Sequence, residues 1–261
     1  MPWYLLLGCG AVFSFAVMIS LWFFVGRKGS AGVVDVAWAS LIGLMGIGYA
    51  LGGDGNVGRR WLAAVLISLW ALRLAIHIGS RLTKEKEDPR YTELKKQWGG
   101  NATIKLLLFY LIQAAAAIGF SIPVLIASVS KADLGISDLL GCLIWLVALS
   151  GETLADRQLK RFKESNTDPQ AVCDRGLWKY SRHPNYFFEW LHWFSYVLLC
   201  WQHPWGWLTV IAPLVMLYFI LFVTGIPPTE KQALKSRPKS YRDYQRTTSP
   251  FFPWPPQSPA A

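Results

Sequence analysis

The sequence predicts an all-α, polytopic integral membrane protein of seven transmembrane helices, N-terminus outside and C-terminus cytoplasmic. Three observations lead there. Long apolar runs alternate with short, charge-rich connections. The chain is 53% hydrophobic and only 16% charged, whereas a soluble domain carries about a quarter charged residues. Its 26 Lys and Arg gather mainly in every second connection, the bias that sets orientation in a bilayer.

A helix needs about 20 apolar residues to cross the hydrocarbon core. Seven runs qualify, at roughly 4–25, 33–52, 61–80, 105–129, 137–155, 186–203 and 206–226. The first lacks a basic leader and ends at Arg27-Lys28 without a small-residue cleavage site. It reads as a retained helix rather than a signal peptide. The fifth turns polar at Glu152 and is expected to continue as a helix beyond the membrane. The last two are separated by the tight His203-Pro204-Trp205 turn.

Arg27 and Lys28 occupy the first loop, and Arg81, Lys84, Lys86, Arg90, Lys95 and Lys96 the third. Arg157, Lys160, Arg161, Lys163, Arg175, Lys179 and Arg182 fill the fifth, and six more cations lie between Lys231 and Arg246. The second loop has only Arg59 and Arg60, the fourth only Lys131, and the sixth none. The odd loops and the tail therefore face the cytoplasm, which an odd number of spans requires. Trp201, Trp205 and Trp207 read as an aromatic belt at the outer interface. The tail from Phe251 to Pro256 reads as an extended segment on the membrane surface.

Other classes find little support. The net charge of +10 lies in loops, and no nucleic-acid module is recognisable. Cys9, Cys142, Cys173 and Cys200 form no CxxC pair, so neither a disulfide framework nor a zinc site is expected. The four histidines lack zinc spacing. No glycine-rich dinucleotide fingerprint or P-loop occurs. There is no internal repeat of the kind transporters often carry.

Ionisable groups within spans are costly and mark candidate sites. Asp35 lies near the cytoplasmic end of the second span. Arg73 and His77 share a face of the third, Glu152 and Asp156 a face of the fifth, and Glu189 and His192 a face of the sixth. The plain alternative is pairing across helices that holds the bundle together. Segment 156–189 is the richest. Lys160 and Lys163 fall on one helix face, and Arg182, His183 and Asn185 precede a helix whose first turn offers free N–H groups. Together these can hold phosphates and amide-bearing rings. A patch for anionic lipid headgroups is the blander reading, but it has no need of Asn, Tyr and Glu at fixed spacing.

The run Gly176-Leu177-Trp178-Lys179-Tyr180-Ser181-Arg182-His183-Pro184-Asn185-Tyr186, followed by Glu189, resembles the C-terminal signature of the membrane steroid 5α-reductases and their bacterial relatives. Sterol C14 and C7 reductases carry a related version, and isoprenylcysteine carboxyl methyltransferases share its Arg-His-Pro core. Residues 152–158 and the Glu87-Asp88-Pro89-Arg90-Tyr91 loop resemble the bacterial branch in particular. The likeness runs from about residue 30 to 255.

The resemblance implies one transmembrane reductase domain over 1–261, with a substrate cavity mainly in 1–130 and an NADPH-binding part mainly in 150–250. It implies reduction of the C4–C5 double bond of a 3-oxo-Δ4-steroid, with hydride to C5 and a proton to C4. Lys160, Lys163, Trp178, Tyr180, Arg182, His183, Asn185 and Glu189 match cofactor positions, with Asn185 and Glu189 by the nicotinamide amide. Arg237 and Tyr241 would close over the cofactor. The family places a glutamate on the second helix and a tyrosine on the third. This chain has Asp35 as the acid on the second span, and Trp70 where alignment on Arg73 puts the tyrosine. Asp35 and Tyr91 are therefore the catalytic candidates, with Tyr49 as a further hydroxyl. The expected partners are a lipophilic, steroid-like enone and membrane lipid, with no metal and no nucleic acid. A monomer in a bacterial inner membrane is expected, its cofactor side cytoplasmic. A reductase of another lipid enone, an isoprenylcysteine-type methyltransferase and a non-enzymatic transporter or lipid-binding protein are the rival readings.

Overall fold

The computed structural model describes residues 1–25, 32–82 and 102–257. Tyr91, the Glu87–Tyr91 loop and the basic residues at 27, 28 and 84–96 lie outside them. Regular structure among the described residues is helical throughout. In chain order it comprises α1 (Trp3–Phe24), α2 (Val33–Gly52), α3 (Val57–Leu82), α4 (Ala102–Val129), α5 (Ile136–Ser165), α6 (Pro184–Leu199), α7 (Ile211–Tyr218), α8 (Ile226–Ser236) and α9 (Pro238–Thr247). Single 3-10 turns cover Gly176–Lys179 and Gly206–Val210, and a π turn follows α7 at Phe219–Val223.

Six segments are long and apolar enough to cross a membrane: Trp3–Phe24, Val33–Gly52, Val57–Ser80, Thr103–Val129, Ile136–Ser165 and Gly206–Ser236. They make this an integral membrane protein by length and composition. Many of their large apolar side chains are exposed, among them Leu44, Leu69, Leu108 and Leu143. Exposed apolar surface on this scale fits lipid rather than water. The expected span at 186–203 is α6, which has only 16 residues. At about 1.5 Å per residue it falls short of the ~30 Å hydrocarbon core. The last segment changes character within itself. Its apolar part ends with the π turn at Val223, Thr224 and Gly225 form a bend, and α8 is polar (Ile-Pro-Pro-Thr-Glu-Lys-Gln).

The chain divides into two compact units: 1–137 with 199–209, and 138–198 with 210–261. In the first, α2 and α3 pack closely because glycines face the contact. A Cβ on Gly43 would stand 2.8 Å from the Ala71 Cβ, and one on Gly46 2.5 Å from Ile67. Small residues permit this approach between membrane helices. Trp38 meets Trp70 and Phe120 edge to face, at 6.0 and 5.5 Å. Ser14 on α1 donates to the Ala114 carbonyl on α4, and Tyr49 pairs with Ser121 at 3.1 Å.

Arg59 anchors one end of this unit and is fully buried. Its Nη1 donates to the Leu199 carbonyl at 3.0 Å and its Nη2 to the Asp133 carbonyl at 2.8 Å. The sequence presents Arg59 as a loop charge; the structure makes it an internal tie. Trp201, Trp205 and Trp207 are exposed, as an interfacial belt requires.

In the second unit, α5 runs unbroken past Glu152 to Ser165. The tail does more than lie along a surface. Phe251 is buried with Ile220 and Ile226, against Phe187 and Trp190, while Phe252 and Trp254 are exposed.

Candidate functional site

The site is built around the turn that leads into α6. Gly176 has φ +60°, a conformation that L side chains rarely adopt. A Cβ there would also stand 2.5 Å from the Gln158 amide. That turn lets the Leu177 N–H donate to Gln158 Oε1 at 2.9 Å. Trp178 then buries its ring and donates Nε1–H to the Ala155 carbonyl at 2.9 Å. One side chain and one backbone carbonyl of α5 thus fix where the next residues begin.

The following residues turn inward. Ser181, Arg182, His183 and Pro184 are all buried. Pro184 opens α6, where a missing N–H costs nothing, and the His183 carbonyl accepts from the Phe187 N–H at 3.1 Å. The His183 ring stacks on Tyr186, with centroids 5.3 Å apart and planes at 4°.

Glu230 on α8 is the centre of the polar network. Its Oε1 accepts from Arg182 Nε at 2.7 Å, from His183 Nε2 at 3.4 Å and from the Tyr241 hydroxyl at 3.3 Å. Its Oε2 accepts from Gln245 Nε2 at 2.8 Å. Burial raises the pKa of this carboxyl, but His183 and Arg182 outweigh burial and pull it down to about 2. Burial lowers the His183 pKa against the pull of Glu230, so a neutral ring presents Nε2–H to the carboxylate. Burial, then the charge of Glu230, raises the Tyr241 pKa, which keeps its hydroxyl a neutral donor.

Arg182 has two further acceptors. Nη1 donates to the Thr248 carbonyl at 2.6 Å and to the Gln245 carbonyl at 3.2 Å. These carbonyls belong to the C-terminal end of α9, where a cation complements the helix dipole. Tyr244 closes the other side by donating to the Trp178 and Ser181 carbonyls.

Not all the residues singled out from the sequence come together here. Trp178, Arg182, His183 and Tyr241 do. Asn185 reaches back to α5, with Nδ2 donating to Asp156 Oδ1 at 3.4 Å. Glu189 follows one turn later on α6, half-buried. Lys160 and Lys163 stand exposed on the last turns of α5, and Lys160 lies 3.9 Å from Glu164. Tyr180 is exposed, and its carbonyl accepts from the Trp254 N–H. Arg237 sits between α8 and α9 and donates to the Ala171 carbonyl at 3.2 Å. Asp35 belongs to the first unit, in the opening turn of α2.

Sequence reasoning misses Glu230, Ser181, Tyr244 and Gln245. Glu230 is the one acid on a helix that carries Lys231 and Lys235, which is a usable signal. It also misses Tyr110, fully buried on α4. Trp70, by contrast, is buried and offers no hydroxyl.

Among the described residues no group of three or more His, Cys, Asp or Glu could hold a metal ion. The cysteines are free thiols. Exposed cations such as Lys160 and Lys163 can meet phosphate groups, and a half-buried Asn and Glu can hydrogen-bond a carboxamide.

A family model described as "Protein of unknown function (DUF1295)" matches residues 21–248. No curated protein and no solved structure matches the chain.

Proposed function

We propose that this chain, which belongs to the DUF1295 family, is an NADPH-dependent membrane reductase of the steroid 5α-reductase type. Its substrate is a 3-oxo-Δ4-steroid or a lipid enone of similar shape. The observation that carries the reading is the 176–189 segment. Its resemblance to the reductase signature is joined to a defined local build: a glycine turn packed against α5, a buried Arg182-His183 pair, and Asn185 and Glu189 on the opening turns of α6.

Bound NADPH would supply the hydride that adds to C5. On this reading Lys160 and Lys163 meet its phosphates, and Asn185 and Glu189 hold its carboxamide. Trp178, Tyr180 and His183 line the approach, with Arg237 and Tyr241 on the α8–α9 side. As hydride arrives at C5, negative charge develops on the C3 oxygen. A donor aimed at that oxygen lowers the barrier, and C4 then takes a proton. Asp35 serves as that donor in its protonated form. Tyr110, a buried hydroxyl of the same unit, joins Tyr91 as a hydroxyl candidate. The seven-pass topology, with α6 and the turn after it as one pass and the basic loops cytoplasmic, belongs to the same proposal.

The test uses purified full-length protein in detergent. Absorbance should report NADPH oxidation when progesterone or testosterone is added, with the saturated 5α product recovered by mass spectrometry. A protein that binds no nicotinamide cofactor and reduces no Δ4-3-ketosteroid or related enone would sink the reading. Preferential binding of S-adenosylmethionine would move it to the methyltransferase class that shares the Arg-His-Pro core.

A further inference from the structure

We propose that Glu230 is the positioning residue of this site, a single carboxylate that gathers Arg182, His183, Tyr241 and Gln245 and so ties the C-terminal segment 248–257 across the motif as a clasp. The ligand assignment rests on the proposed cofactor reading; the clasp rests on the geometry alone.

The bonds form a closed set. The segment is held to the motif by the Arg182 N–H to the Ser249 carbonyl at 2.8 Å, by Ser181 Oγ to the Phe251 carbonyl at 2.8 Å and by the Trp254 N–H to the Tyr180 carbonyl at 2.9 Å. Its far end returns to α9 through the Gln257 N–H and the Thr247 carbonyl at 2.8 Å. Phe251 is the apolar rivet, 2% exposed. Residues 180–182 therefore spend backbone or hydroxyl groups on the tail. Their shape depends on the tail, and the tail depends on them.

Glu230 sets this arrangement because it orients Arg182, a cation that serves both sides. Arg182 is 8% exposed and lies between Glu230 and the carbonyl end of α9. A buried guanidinium that loses its counter-charge is strongly destabilised. It then draws water or moves outward, and either response releases the Thr248 and Gln245 carbonyls and the segment behind them. On this account the exposed lysines of α5 meet anionic ligand directly, while Arg182 holds the wall beside it.

The experiment compares wild type with Glu230→Gln, Glu230→Asp and Tyr241→Phe, as purified full chains in detergent. Hydrogen exchange is read by mass spectrometry over 248–257 and 180–186, and NADPH affinity by fluorescence titration. Glu230→Gln should speed exchange in both segments by about tenfold or more, leaving α1–α4 unchanged, since local openings have their own free energies. It should raise the Kd and KM for NADPH about tenfold while the rate at saturation stays within about twofold, the signature of lost binding rather than lost chemistry. Glu230→Asp should recover part of the affinity, and Tyr241→Phe should show a smaller change of the same sign. If Glu230→Gln does not fold, Tyr241→Phe decides. Unchanged exchange over 248–257 overturns the clasp. Opened exchange with unchanged NADPH affinity overturns the positioning role. A wild type that binds no NADPH overturns the cofactor reading, and the exchange data then judge the clasp by themselves.

Discussion

Arg182 and Glu230 form a buried ion pair, Nε to Oε1 at 2.7 Å, between residues 48 positions apart in the chain. The pair makes stability depend on acid. An unfolded glutamate titrates near 4.5, and the folded Glu230 near 2. A depressed carboxyl contributes stability that is fully present above the unfolded value and is lost as pH falls through the folded one. His183 adds to the same slope. Its folded pKa lies below the usual 6.5, so the unfolded chain takes up the proton first and stability begins to fall below that pH. Thermal unfolding monitored from pH 7 downward should therefore show two losses, one starting near 6.5 and a second between 4.5 and 2. Glu230→Gln should cost about 1–3 kcal/mol of stability at pH 7 once screening at a partly open carboxyl is allowed for, read as a lower melting temperature. Its deficit should shrink toward pH 2.

Gly176 gives a sharper structural prediction. Gly176→Ala places a side chain at φ +60°, against Gln158. The left-handed conformation costs roughly 1–2 kcal/mol per residue in itself. The flexible Gln158 amide can move, but moving it removes the bond to the Leu177 N–H. The expected outcome is a lower melting temperature, with increased exchange at the Leu177 and Trp178 amides. An unchanged melting temperature would show that the turn can be made another way.

Arg59 should prove among the most sensitive positions of the first unit. Its guanidinium bonds to carbonyls at both Asp133 and Leu199 with no exposure to solvent. Removing a partner from buried polar groups costs about 1–3 kcal/mol for each group left unsatisfied. Arg59→Met should lower the yield of monodisperse protein and the melting temperature. Arg59→Lys should recover little, because one ammonium cannot span both carbonyls. Size-exclusion profiles and thermal scans check this.

Asn185 and Glu189 carry the sharpest activity prediction. Either change to Ala removes a polar group at the proposed carboxamide site without touching the Glu230 network. Loss of an interaction that orients the reacting ring should cost about 100-fold or more in turnover. The protein should remain extractable, with a melting temperature near that of wild type. Full NADPH-dependent activity in both variants would remove these residues from the site.

The apolar segments were legible because length and hydropathy are properties of a continuous stretch. The motif at 176–189 was legible because its residues are close in sequence. The Glu230 network was not, since an acid on α8 meets Arg182 only after the chain has crossed α6 and α7, and no local pattern records that meeting. Arg59 failed for a related reason. A cation near a helix end counts as loop charge until the carbonyls at Asp133 and Leu199 surround it. Span 186–203 shows the limit of hydropathy. Aromatic and small apolar residues continue past Leu199, but α6 stops there and the chain turns.

Tyr110 and Asp35 supply the last prediction, because the hydroxyl expected from the third span is absent at Trp70. Tyr110 is a fully buried hydroxyl in the same unit as Asp35. If the pair stabilises charge on the C3 oxygen, Tyr110→Phe should lower turnover by about 10–100-fold, with substrate affinity changed less. Asp35→Asn keeps size and a donor but cannot release a proton. It should slow the reaction less than Asp35→Ala if hydrogen bonding alone is needed, and as much if the carboxyl group must ionise. A double variant costing no more than the worse single one would show that the two groups act as one unit. Fully additive losses would separate them and return Tyr91 to consideration as the hydroxyl.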